Sequence, residues 1–186
     1  MEYEVIRSRR KTLSMQVKGD GRVEIRAPLR TSDAEIRRFV EKHRRWLEKH
    51  LLKAQALQQA KAGVRKLTAA EIAELKRKAK RILPERAAYW APLIGVRPGR
   101  IAIRCQKTRW GSCSTKGNLN FNCLLMLTPP GVIDSIVVHE LCHLKHMNHS
   151  RQFYAEIEKV LPEYRQHQKW LKENGEFLLA MAEDRM

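Results

Sequence analysis

No apolar run in this 186-residue chain reaches the roughly 18 residues that a membrane span requires. The opening Met1-Glu2-Tyr3-Glu4 is acidic and lacks an apolar signal region, so the expected location is the cytoplasm. No Cys-x-x-Cys pair occurs among Cys105, Cys113, Cys123 and Cys142, which argues against a zinc ribbon and leaves reduced, structural thiols as the expectation. A Walker-type glycine loop, a carboxylate cluster suited to magnesium, internal repeats and low-complexity tracts are all missing. Acidic residues are scarce: 20 Asp+Glu stand against 37 Lys+Arg, for a net charge of +17. The imbalance is local. Residues 1–110 hold 29 basic and 11 acidic residues, whereas residues 111–186 hold 8 and 9. An excess of this size in one part suits nucleic acid or another polyanion as a partner of residues 1–110, although a merely solvated basic surface would read the same way.

An apolar fraction of 43% is enough for a folded core. Leu13, Met15 and Val17 alternate before the turn Lys18-Gly19-Asp20-Gly21, and Val23 and Ile25 alternate after it, so a β-hairpin is expected up to Pro28. Ser32 and Glu35 form a capping box that opens a helix carrying Ile36, Phe39, Val40, Leu47 and Leu51, expected to run to Ala62 and stop at Gly63. Thr68 and Glu71 form a second capping box. Its helix carries Ile72, Leu75, Ala79, Ile82 and Leu83, should kink or break at Pro84, and ends at Gly95. Strands are expected at Arg100–Cys105 and Asn118–Asn122, with a loop at Lys107–Ser114 between them. Ser150 should cap a helix to Leu161, and another should run from Glu163 to a stop at Gly175. The organisation expected is an N-terminal hairpin-plus-helix subdomain over residues 1–63 and a second domain over 64–186.

The chemistry concentrates in Val137-Val138-His139-Glu140-Leu141-Cys142-His143. On a helix, His139 and His143 lie one turn apart on the same face, where two imidazoles can hold one metal ion. Glu140 lies about 100° round the helix, within reach of a water on that ion but poorly placed as a ligand. A catalytic zinc takes three protein ligands and keeps one position open. The third candidate is His149, provided the helix ends near His146 and Asn148 adopts a left-handed turn. Glu156, Glu158 and His146 are the alternatives. With seven His and 16 Glu, chance supplies about 0.02 matches to His-Glu-x-x-His in a chain of this length.

Arg109-Trp110-Gly111-Ser112-Cys113-Ser114, then Asn122, the His139–His143 motif, Asn148-His149-Ser150 and Phe153 together resemble the YgjP-like family of predicted zinc metallopeptidases, which belongs with the SprT-like and minigluzincin-type zincins. The resemblance is strong over about Arg100–Leu171 and weaker over Ser8–Thr12, the hairpin and the helix around Trp46. It implies an α+β fold: a zincin-like core of a small antiparallel sheet plus active-site helix, with an N-terminal β-hairpin and long helices. It also implies one Zn2+ per chain on His139, His143 and His149, Glu140 as catalytic base, and a polypeptide substrate. Asn118–Asn122 would be an edge strand beside the cleft, so Arg109, Trp110, Ser112, Asn120 and Asn122 are candidate substrate contacts. Alternatively, Trp110 packs and Ser112 bonds to the backbone. Two other functions fit the same residues: a metal-dependent nucleoside-triphosphate pyrophosphatase, and a nucleic-acid-associated protease or binding module.

Overall fold

A computed structural model describes residues 2–182. The chain forms two compact units, Met1–Val64 and Arg65–Met186. No helix among the described residues is long and apolar enough to cross a membrane.

In the first unit the expected hairpin is β2 (Ser14–Val17) and β3 (Val23–Pro28), antiparallel with Met15 opposite Ile25. Gly21 takes the turn's left-handed position at φ 84°. A strand not foreseen, β1 (Glu4–Ser8), runs parallel to β3 on its other side, so β3 is central. Ile25, Ala27 and Ile36 form the buried centre, with Leu13, Met15 and Val40 packed on it. The Ser32 amide donates to the Glu35 carboxylate at 2.8 Å and the Glu35 amide to the Ser32 hydroxyl at 3.3 Å, which starts α1 (Asp33–Lys42). The single long helix expected here is two. His43 departs from helical geometry at φ −108° and ψ 16°, its Nδ1 lies 2.8 Å from the Phe39 carbonyl, and α2 (Arg44–Ala62) starts after it. Gly63 ends α2 as expected.

The second unit is built around α4 (Pro130–Cys142), which begins with proline at its first turn. Val137, Val138, Leu141 and Cys142 are wholly buried. α3 (Ala69–Ile94) lays Leu75, Ala79, Leu83, Ala87, Trp90 and Ile94 against the core, starts at the Thr68–Glu71 capping box and ends at Gly95 with φ 77°. Lys76, Arg77, Lys78, Lys80 and Arg81 face water. No break occurs at Pro84; the helix also continues through Pro92. Each proline frees the carbonyl four residues earlier, and those residues, Lys80 and Ala88, are exposed, so water can satisfy the freed group. Arg86 ties α3 to α4 by donating to both Asp134 oxygens, at 2.6 and 2.8 Å.

The sheet of this unit has the order β4 (Ile101–Arg104), β6 (Leu119–Asn122), β5 (Gly111–Cys113). It is mixed rather than antiparallel: β4 runs parallel to β6, and only β5 is antiparallel to it. A 3-10 turn at Cys123–Leu127 leads from β6 toward α4. Ser150 caps α5 (Arg151–Val160) by accepting from the Phe153 amide. α6 runs from Tyr164 to Ala180 and does not stop at Gly175. That glycine is there for contact: a Cβ on it would stand 3.2 Å from the Trp110 indole nitrogen. The four cysteines are free thiols.

Candidate metal centre

α4 is buried over most of its surface, and burial of its Val137–Cys142 segment fixes the direction in which His139 leaves it. The helix ends at Cys142, earlier than expected, with His143 as its C-cap. Tight turns then carry the chain on, with the Leu144 amide donating to the Leu141 carbonyl and the His146 amide to the Cys142 carbonyl. Asn148 is not left-handed; no non-glycine residue described has positive φ. The return of the chain is made by these turns and by the Ser150 cap of α5.

The result is a convergence of three rings. His139 Nε2 lies 3.2 Å from both His143 Nε2 and His149 Nε2, and the ring atoms available as ligands lie within 4.8 Å of one another. Phe153 packs on all three rings, with centroid distances of 4.9, 4.6 and 5.0 Å. No other cluster of three or more His, Cys, Asp or Glu ligands is found among the described residues. Glu156 instead accepts from Lys145 at 3.0 Å, and Glu158 from Arg165 at 2.7 Å. His146 is represented at the centre by its backbone carbonyl, 3.0 Å from His143 Nδ1.

The protonation pattern fits a cation. A carbonyl only accepts, so neutral His143 carries its proton on Nδ1 and turns a bare Nε2 lone pair to the centre. His139 Nδ1 lies 2.8 Å from the Tyr164 hydroxyl, which holds the ring from behind. Burial, followed by the nearness of His143 and His149, drives the His139 pKa down to about 3, and burial lowers that of His143. Imidazole nitrogens 3.2 Å apart are spaced to bind one cation. With Zn–N bonds of about 2.0–2.1 Å, a tetrahedron has edges of about 3.3–3.4 Å, close to the spacing found. The donor set fits zinc.

Glu140 is 5% exposed. Burial pushes its pKa up to about 8, and the Arg109 charge opposes that rise. The glycine of the Arg109–Ser114 stretch has its explanation here. It lies within a strand, not at a loop bend, and a Cβ on Gly111 would stand 2.6 Å from Glu140 Oε1. Only glycine lets β5 lie this close to the carboxylate.

The other candidate contacts are arranged round this strand. Because β6 is the central strand, the edge next to Glu140 is β5, not Asn118–Asn122. Asn122 is wholly buried; its side-chain nitrogen donates to the Gln106 and Arg109 carbonyls, and its oxygen accepts from the Leu124 amide. Its backbone amide also holds the Trp110 carbonyl at 2.8 Å. Asn120 donates to the Ser112 hydroxyl at 3.3 Å across the β5–β6 pair. Trp110 is anchored on Gly175. These contacts brace the segment that presents Arg109, whose side chain is exposed. The sequence gives no sign of Tyr164: it lies 25 residues from His139, on another helix, and no spacing rule links them.

The family model described as YgjP-like, metallopeptidase domain, matches residues 11–73 and 58–174 of the chain. No curated protein matches. Among the solved structures similar to it are two metallopeptidase zymogens. The metallopeptidase zymogen abylysin of Pyrococcus abyssi is 25% identical, covers 50% of this chain and 94% of its own, and superposes with a TM-score of 0.45. The metallopeptidase zymogen jannalysin of Methanocaldococcus jannaschii is 19% identical, covers 50% and 97%, and has the same TM-score of 0.45.

Proposed function

We propose that this chain, which belongs to the YgjP-like metallopeptidase family, hydrolyses peptide bonds with a zinc ion held by His139, His143 and His149 and with Glu140 as general base. The observation that carries the reading is the meeting of three imidazoles, with His139 Nε2 3.2 Å from the Nε2 atoms of both His143 and His149, beside a buried carboxylate. When bound, zinc supplies Lewis acidity, which lowers the pKa of a coordinated water toward about 7 and polarises a carbonyl. Glu140 accepts the proton of the attacking water and returns it to the departing amine. Desolvation raises the proton affinity of its carboxylate, which favours taking up the proton. The outer edge of β5 pairs with no strand among the described residues, and an extended substrate can add to it through backbone hydrogen bonds. Ser112 and Arg109 then stand at the substrate's side, with Trp110, Asn120 and Asn122 bracing them.

Zinc-loaded protein is expected to cleave an unfolded polypeptide, to lose that activity with a chelator and to regain it with zinc. Zinc-loaded protein that released pyrophosphate from nucleotides and left the polypeptide intact would overturn the reading in favour of a phosphoanhydride substrate.

The hydroxyl behind His139 gives a second test. Tyr164→Phe removes the hydrogen bond that orients the ring and keeps the packing, so the affinity for zinc is expected to fall about 10–100-fold in a chelator competition. Unchanged affinity would leave Tyr164 a packing residue only.

A further inference from the structure

Resting on the peptidase reading, we infer that Arg109 selects the substrate by pairing with an acidic side chain close to the scissile bond. Its place follows from the strand that adjoins Glu140. A Cβ on Gly111 would stand 2.6 Å from Glu140 Oε1, so the face of β5 to which position 111 points is the face turned to the proposed base. The antiparallel ladder continues one residue before β5. There the Asn122 amide donates to the Trp110 carbonyl at 2.8 Å, one step on from the Gly111–Phe121 pair. Alternation then puts the side chains of Arg109 and Cys113 on the same face as position 111. Both sense the carboxylate: the Arg109 charge acts on Glu140, and the Glu140 charge acts on Cys113. Two residues of strand span about 6.6 Å, so Arg109 starts one side chain's length from the glycine that touches Glu140.

The surroundings leave this guanidinium to a substrate. The Asn122 side chain fixes the Arg109 carbonyl at 2.9 Å, whereas the Arg109 side chain is exposed and makes no hydrogen bond or ion pair with a described residue. The carboxylates of α5 are taken, Glu156 by Lys145 and Glu158 by Arg165. Between Glu85 and Asp134 the chain has no acidic residue, and that stretch supplies all three strands of the sheet. The strand wall beside Glu140 therefore carries positive charge that no carboxylate of the same wall cancels. An extended substrate added to the open edge of β5 brings one side chain opposite Arg109 and onto the same face, where opposite charges on paired strands attract. The five N–H donors of the guanidinium match a carboxylate. The substrate position opposite Arg109 is thus read as aspartate or glutamate, and lysine or arginine there is repelled. Because Arg109 is two residues from Gly111, that position lies within about two residues of the bond cut, always on the same side of it.

The test is cleavage profiling of a peptide library by zinc-loaded wild type, Arg109→Gln, Arg109→Glu and Lys116→Gln, with zinc content measured for each. Peptide binding to the inactive Glu140→Gln protein is followed alongside. Lys116 lies in the turn after β5, at the other end of the strand from Arg109, so its replacement removes the same charge elsewhere on the wall. Wild type is expected to favour Asp or Glu over alanine at one fixed position beside the cut by about tenfold in kcat/KM, the low end for a hydrogen bond to a charged group because the site is exposed. Arg109→Gln should collapse that ratio at unchanged zinc content, Arg109→Glu should turn it toward lysine and arginine, and Lys116→Gln should keep it. Cleavage with no acidic preference, a preference that Arg109→Gln leaves intact, or one that Lys116→Gln lowers equally, overturns the role of Arg109 and spares the peptidase reading. Absence of cleavage, with acidic peptides still binding Glu140→Gln more tightly than their alanine counterparts and losing that advantage when Arg109→Gln is added, overturns the peptidase reading and spares the role of Arg109. Absence of both overturns both.

Discussion

Replacing Glu140 by glutamine is expected to lower peptide-bond turnover about 10²–10⁴-fold while the protein stays folded and zinc-loaded. The substitution removes the proton acceptor and little else. Glu140 is almost fully buried, and its side chain fills the space that Gly111 leaves open. Glutamine has the same shape, so neither a cavity nor a clash results. It is neutral, so it also avoids the desolvation that makes a carboxylate unfavourable here and lifts its pKa to about 8. The melting temperature of the metal-free protein is therefore expected to hold or rise. Steady-state rates on an unfolded polypeptide, zinc content and a melting curve together decide the matter. Near-wild-type turnover would remove Glu140 as the base. Loss of zinc would show that the carboxylate helps hold the ion.

Much of the helical structure could be read from the chain because its signals are local. Capping boxes at Ser32–Glu35 and Thr68–Glu71, the left-handed Gly95 and the Ser150 cap each act within a few residues, and the structure has all of them. What escaped depends on distant partners. β1 finds its place by parallel pairing with β3, about 20 residues along the chain, and its own burial pattern does not alternate cleanly. β5 is three residues long and opens with a glycine, which reads as a loop until Glu140 is seen against it. Gly175 reads as a helix stop, yet it continues α6 because Trp110, 65 residues earlier, needs the room.

The same division runs through the site. His139, Glu140 and His143 share one helical turn, so periodicity alone predicts their relation. His149 was proposed from its distance along the chain, through a left-handed Asn148 that the structure does not contain. The ring nevertheless reaches the other two, because an early helix end and the Ser150 cap bend the chain back. Asn122 shows the limit in the other direction. It stood out as a candidate substrate contact, and the structure commits both ends of its amide to the backbone.

Truncation of His149 to alanine is expected to weaken zinc binding about 10²–10³-fold, whereas Glu156→Ala and His146→Ala should leave it unchanged. Structural zinc sites with four ligands bind with about 10–16 kcal/mol, or roughly 2.5–4 kcal/mol per ligand. Loss of one ligand then weakens affinity about 10²–10³-fold. His149 is exposed, so its truncation opens no core cavity and the fold should survive. Glu156 is engaged with Lys145, and His146 serves His143 through a backbone carbonyl that alanine preserves. Zinc at about 1,000 times its Kd stabilises a folded protein by about 4.1 kcal/mol. A 10²–10³-fold weaker site would lose most of that at the same zinc concentration. The readout is the zinc-induced rise in melting temperature at that zinc concentration together with the metal retained after dialysis against zinc-free buffer: in His149→Ala the rise should fall by well over half and the retained metal should drop, and both should persist in the other two. Equal occupancy in His149→Ala, or loss of zinc in Glu156→Ala instead, would move the third ligand to another side chain, and with it the geometry on which hydrolysis depends.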